Sequence, residues 1–202
     1  MLMYRMIWLV LVCIVLMSCS SFSDHLNQIK SDAASDRIEG IYWLSMNMKS
    51  PTTQKLLIEA FRKDESEIVR SLAARLIVLE NNPDYVPLLV LGLHDSSPLV
   101  RMEVVQGLGS LQAKTTLPDL SNLLLNDSDI FVRLKVLKSI QYMNATESIP
   151  SLIDALGDPE PAVRFYALLL LEQFTQEKPG IDKQSWKKWY EKKSTTSNPS
   201  QS

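Results

Sequence analysis

DSDIFVR, residues 127–133, is one of four copies of a single phrase. DESEIVR at 64–70 and DPEPAVR at 158–164 are two others, and the fourth runs from Asp95 to Val100-Arg101. Each reads Asp-x4-Val-Arg, and Val69, Val100, Val132 and Val163 lie 31, 32 and 31 residues apart. A period of 20–50 residues is the signature of stacked repeats. The chain is therefore expected to build layers, each burying its apolar face against the next, rather than close around one pocket.

Counting from each valine, position +4 is Ala73, Val104, Val136 or Ala167, and position +5 is Ala74, Val105, Leu137 or Leu168. Position +8 is Ile77, Leu108, Ile140 or Leu171. A rotation of about 100° per residue gathers these apolar side chains on one helical face. Ser66, Ser97 and Asp129 stand where a helix N-cap is needed, with Glu160 a poorer cap in the last copy. Pro98 and Pro161 follow at the first helical position, where a missing N–H costs nothing. A shorter helix precedes each of these, over Thr52–Lys63, Asp84–His94, Thr115–Asn126 and Glu147–Leu156. Pro87, Pro118 and Pro150 fall in the opening turns of the last three. No stretch alternates in the manner of a strand.

A degenerate copy stands ahead of the first clear one. Ile38 lies 31 residues before Val69, which places Tyr42, Trp43 and Met46 at +4, +5 and +8 and Glu39 in the arginine slot. This phase predicts a capping helix over Asp36–Met48. At the other end, Trp186, Trp189 and Tyr190 share one face of a short helix beyond Pro179-Gly180 and are expected to lid the stack.

A 31-residue helical pair carrying Asp-x4-Val-Arg resembles the HEAT repeat, in its short phycobilisome-lyase-like class. The resemblance spans residues 52–174, or 33–192 with both caps. It implies an all-α, right-handed α-solenoid of four hairpins with the second helices lining the concave side. It also implies that Asp64, Asp95, Asp127 and Asp158, with Arg70, Arg101, Arg133 and Arg164, form a structural ladder between layers rather than a reactive site.

The N-terminus reads as a targeting signal. Arg5 precedes an unbroken apolar run of 12 residues, Met6 to Met17, shorter than the ~20 needed to span a bilayer. Leu16-Met17-Ser18-Cys19 resembles a bacterial lipobox, which implies cleavage before Cys19 and acylation of its thiol. Two or more acyl chains anchor a protein stably. The expected plan is a signal at 1–18, an acylated cysteine and tether at 19–32, the repeat domain at 33–175, a capping helix at 176–193 and a disordered tail at 194–202. The expected location is the cell envelope, on the periplasmic face of the outer membrane.

With Cys13 removed with the signal, Cys19 is the only remaining cysteine, which leaves no internal disulfide and no cysteine-rich metal site. A net charge of −2 offers no basic excess for nucleic acid. His25 and His94 are the only histidines, too few for a catalytic triad, and neither is followed by the Glu that di-iron HEAT-like hydroxylases use. No glycine-rich phosphate loop appears. No cofactor or metal is expected. Any partner is expected at +3 and +6 of the second helices: Leu72 and Arg75, Glu103 and Gln106, Lys135 and Lys138, Tyr166 and Leu169. Position +2 adds Ser71, Met102, Leu134 and Phe165. Lys135, Lys138 and Tyr166 form the leading cluster on a strip on the order of 40 Å long. Three functions fit: a lipid-anchored, non-catalytic scaffold that binds a protein or peptide, a bilin-lyase-like enzyme or subunit, and a spacer with no specific partner.

Overall fold

The computed structural model describes residues 23–47 and 50–196. The signal segment, Cys19, Met48 and residues 197–202 lie outside the described residues. No strand occurs among the described residues. The chain divides into two compact units, Met1–Glu80 and Asn81–Ser202, a division that the repeat period does not announce.

The first unit holds α1 (residues 23–29), α2 (Ala34–Asn47), α3 (Pro51–Lys63) and α4 (Glu67–Leu79). Helix α3 packs on α4, and α2 on both. The second unit holds α5 (Val86–Leu91), α6 (Pro98–Ser110), α7 (Leu117–Asn126), α8 (Ile130–Tyr142), α9 (Ile149–Ala155), α10 (Pro161–Thr175) and α11 (Lys183–Thr196). Within it α6 packs along α8 and α8 along α10, while α7 and α9 stack on each other and against the long helices. Repeated antiparallel helical pairs packed layer on layer make this an α-solenoid.

The periodic face is the core. The residues at 0, +4, +5 and +8 of all four copies are buried, with the single exception of Leu168, which is half-buried. The short helices are entered through 3₁₀ turns at Pro83–Tyr85, Lys114–Thr116 and Thr146–Ser148. The second, long helix of each repeat, α4, α6, α8 and α10, is followed by a left-handed residue, namely Asn81, Gln112, Asn144 and Gln176. After α6 and α8 this residue belongs to a Schellman ending, with Ala113 N–H bonded to Leu108 O at 3.0 Å and Ala145 N–H to Ile140 O at 3.1 Å. Of the expected caps, Ser97 and Asp129 accept from the backbone N–H of Leu99 and Phe131. Ser66 makes no side-chain cap bond.

The Asp and Arg columns repeat one geometry. Each aspartate's Oδ1 accepts the N–H two residues on, from Ser66, Ser97, Asp129 and Glu160, at 2.8–2.9 Å. The Nη1 of Arg70, Arg101, Arg133 and Arg164 donates to the carbonyl of the aspartate six residues back, at 2.7–2.8 Å. The outer edge of the guanidinium then reaches forward one layer. Arg101 grips Asp127 through Nε and Nη2 at 2.7 and 2.8 Å, and Arg133 grips Asp158 at 2.8 and 3.0 Å. These are planar, two-bond forks, which a lysine cannot reproduce.

The capping helix corrects the expected phase. Tyr42 and Met46 are exposed, while Arg37, Gly40 and Ile41 are buried. Arg37, not Glu39, occupies the arginine slot. It forks onto Asp64 at 2.8 Å through both Nε and Nη2, and its Nη1 donates to the carbonyls of Ser31 and Asp32. Those bonds to Asp64 hold its guanidinium above the ordinary arginine range. Ser31 stands in the aspartate slot, its hydroxyl accepting from Ala33 N–H. The register is two residues earlier than the valine spacing implies: the fork from Arg37 to Asp64 spans 27 residues, against 26 from Arg101 to Asp127 and 25 from Arg133 to Asp158.

Two expected irregular stretches are helical. Residues 23–29, expected within the tether, form α1. His25 of α1 stacks on Trp43 with ring centroids 4.1 Å apart, and Gly40 admits α1 because a Cβ there would lie 2.8 Å from His25 O. Residues 194–196, expected in the tail, extend α11. Trp186 of α11 is fully buried and donates to Gly180 O at 2.9 Å. Trp189 meets it edge-on, while Tyr190 is exposed. Helix α11 packs on α9, tied by Lys183 and Lys187 to Asp154.

Arg101→Ala strips the buried Asp127 of its counter-charge. Denaturant unfolding is expected to show a loss of about 3–5 kcal/mol, with Arg101→Lys in between. A loss below about 1 kcal/mol would remove the ladder from its structural role.

Candidate functional site

The variable face of the long helices carries the candidate site. In the first unit Leu72 is half-buried and Arg75 exposed on α4. Ser71 does not join them: it is buried, and its hydroxyl donates to Ile68 O at 3.0 Å. In the second unit α6, α8 and α10 bring Glu103, Gln106, Lys135, Lys138, Tyr166 and Leu169 onto successive layers. Gln106, Lys138 and Leu169 are exposed, whereas Glu103, Lys135 and Tyr166 are half-buried.

The face is knit across layers by side-chain amides. Lys135 Nζ donates to Gln106 Oε1 at 2.9 Å. Tyr166 Oη donates to Gln141 Oε1 at 2.7 Å, and Gln141 Nε2 donates to Gln173 Oε1 at 3.0 Å. Burial pushes the Tyr166 phenol above its ordinary range, so it remains a neutral donor. Lys138 forms no hydrogen bond or ion pair among the described residues, and its ammonium is available. The expected trio therefore splits into Lys135 and Tyr166, held by glutamines on neighbouring helices, and Lys138, free beside them.

A cleft of about 210 Å³ opens between α6 and α8. Gln106, Gly109, Ser110, Lys135, Lys138, Ser139 and Tyr142 line it. Its floor exists because Gly109 has no side chain. A Cβ at Gly109 would lie 2.9 Å from both Cβ and Oγ of Ser139, and Ser139 Oγ is itself committed to Val105 O across the helix pair at 2.9 Å. Two lysines one turn apart, a serine hydroxyl and the exposed Tyr142 ring converge on this cleft. The arrangement suits a carboxylate beside a small apolar group. Larger clefts of about 340 and 390 Å³ lie in the first unit. The smaller one is the better candidate, because it combines the variable positions with a cation that has no partner among the described residues.

Gly109, Ser110 and Tyr142 lie outside the sequence-derived set. Gly109 and Ser110 stand at +9 and +10 of their helix, Tyr142 at +10 of the next, one turn past the +6 positions. The pair Gly107 and Gly109, in a chain with six glycines, is the one signal of close helix approach that the sequence offers. His94 is exposed at the end of a 3₁₀ turn. No group of three His, Cys, Asp or Glu side chains able to hold a metal occurs among the described residues. No helix among them is long and apolar enough to cross a membrane.

Comparison with known proteins agrees with this architecture. The family profile described as HEAT repeats matches residues 54–140 and 117–180. The chain belongs to the HEAT-repeat family. Among solved structures, the complex of CpcE and CpcF of phycocyanin lyase from Nostoc sp. PCC7120 is similar at 26% identity and a TM-score of 0.57, covering 76% of this HEAT-repeat chain and 64% of that chain. The YibA protein of E. coli is similar at 21% identity and a TM-score of 0.63, covering 76% of this chain and 59% of that one, a likeness of fold alone. This HEAT-repeat chain thus spans about three-fifths of the length of each. No curated protein matches it.

Gly109→Ala forces α6 away from α8. It is expected to lower stability by about 1–3 kcal/mol in thermal or denaturant melts, and Ser139→Gly in the same chain is expected to restore part of the loss. No change on Gly109→Ala would contradict the close approach that shapes the cleft.

Proposed function

We propose that this HEAT-repeat protein is a non-catalytic interaction scaffold, lipid-anchored through Cys19 in the bacterial cell envelope, which holds an acidic segment of a partner protein against the long-helix face of its second unit. The observation that carries the reading is the cleft between α6 and α8, where Lys138 has no partner among the described residues and Lys135 and Ser110 stand beside it. A carboxylate there gains a charge-assisted bond, and Tyr142 and Leu169 supply exposed apolar surface alongside. HEAT repeats as a family serve protein–protein contact, and the CpcE–CpcF neighbour is itself a protein complex. The lipobox-like Leu16-Met17-Ser18-Cys19 supports the anchor.

The likeness to a phycocyanin lyase complex favours one second reading, a bilin-lyase-like subunit. A visible-region chromophore absorbance that co-purifies with the chain would support it.

The scaffold is tested by crosslinking and affinity capture with the mature protein, comparing wild type with Lys135→Glu/Tyr166→Ala and with Lys138→Glu. Partners seen with wild type are expected to be lost in both variants while the melting curve of Lys138→Glu stays near wild type. Identical partner sets would remove this face from the proposal. Membrane fractionation tests the anchor separately: Cys19→Ala is expected to release the protein, and an unchanged membrane fraction would exclude lipidation at Cys19.

A further inference from the structure

The ladder has an open end. Arg164 carries out the first half of the repeated geometry, with Nη1 donating to the carbonyls of Asp158 and Pro159 at 2.7 and 2.8 Å. Arg101 and Arg133 make the same bond to their aspartate carbonyls before gripping the aspartate of the next layer. The Nε and Nη2 edge of Arg164 has no carboxylate among the described residues. Its guanidinium is nonetheless aimed by the turn carbonyls that aim the others.

The apolar surroundings of Arg164 are open in the same way. Leu168, at +5, is the one member of the periodic face that is only half-buried, while Ala74, Val105 and Leu137 at that position are buried. Phe165, at +2, is 63% exposed, whereas Met102 and Leu134 at that position are half-buried. Helix α11 lies on α9, with Trp186 and the Asp154 ion pairs as its anchors, and leaves this edge of α10 uncovered.

We infer that the Arg164–Phe165–Leu168 edge of α10 is a docking surface for a different protein that presents an aspartate turn leading into an apolar helix, the chemistry of one further layer. The carboxylate completes the fork on Nε and Nη2 of Arg164, and the apolar helix covers Phe165 and Leu168. Charge complementarity sets this choice. An aspartate carboxylate satisfies both outer N–H vectors of a pre-aimed guanidinium at once, as Asp127 and Asp158 do for Arg101 and Arg133. A second copy of this chain is the poorer occupant, because its first layer carries Ser31 in the aspartate slot. Two copies facing each other through α10 would oppose Arg164 to Arg164.

The surface is independent of the cleft between α6 and α8. It is tested by titrating the mature full chain, followed by NMR at Arg164 Nε–H and the Phe165 ring, with a synthetic peptide of this protein's own sequence 127–142. That peptide carries the Asp127 turn and its helix. Saturable binding that weakens roughly tenfold both with Asp127→Asn in the peptide and with Arg164→Ala in the chain supports the inference. A parallel weakening by Phe165→Ser tests the apolar half without touching the charge. Equal affinity for the Asp and Asn peptides, no binding at millimolar peptide, or shifts confined to the Lys135–Tyr142 cleft would overturn it. So would concentration-dependent self-association of the full chain that Arg164→Glu abolishes, since that would make a second copy the occupant.

Discussion

The two-bond fork between an arginine of one layer and an aspartate of the next is the interaction on which the rest of this structure depends. It is buried, so each partner is unfavourable alone. Each aspartate also accepts a backbone N–H at the start of a long helix, and each arginine also satisfies carbonyls of the turn before it. One ion pair therefore fixes three things at once: the turn, the helix entry, and the distance to the neighbouring layer. Apolar packing supplies most of the driving force for stacking, but it is non-directional. The forks set the register.

Because the layers are fixed in this way, the outward positions of the long helices are free to vary. Chemistry collects there. Gln106, Gln141 and Gln173 bridge between layers without charge, and Lys138 stands beside them with no partner among the described residues. Gly109 lowers the floor between α6 and α8, so a cleft forms where two neighbouring layers would otherwise close over. The same logic places the second candidate surface at the end of the stack, where the last arginine is aimed but meets no aspartate among the described residues.

Much of the fold is legible in the residues. Four Asp-x4-Val-Arg phrases give the four second helices of the repeats and their buried face, and the prolines and caps place most starts within a residue or two. The departures have physical causes. Extrapolating the period phases the capping layer on Ile38, yet the arginine slot belongs to Arg37, because the first fork spans 27 residues where the later ones span 26 and 25. The seven residues of α1 carry too little periodicity to announce a helix, and α1 exists by packing on Gly40 and Trp43. Gln112 and Gln176 adopt left-handed conformations that nothing in glutamine advertises. Of the candidate site, the lysines and Tyr166 follow from their outward phase, whereas Gly109 and Tyr142 enter only through the close approach of two helices.

The sequence by itself determined the repeat, the inward face and the residues of the ladder, because each follows from helical periodicity and from hydrogen-bond chemistry local to one turn. Which side chains are spent and which are free was decided only by the tertiary structure. Lys135 and Lys138 look alike in sequence, yet Gln106 holds one and no described residue holds the other. Arg164 reads like Arg101, yet no described carboxylate meets its outer edge. Those differences depend on what the adjacent layer presents across a few ångströms, and a one-dimensional period carries no information about the layer that follows the last copy.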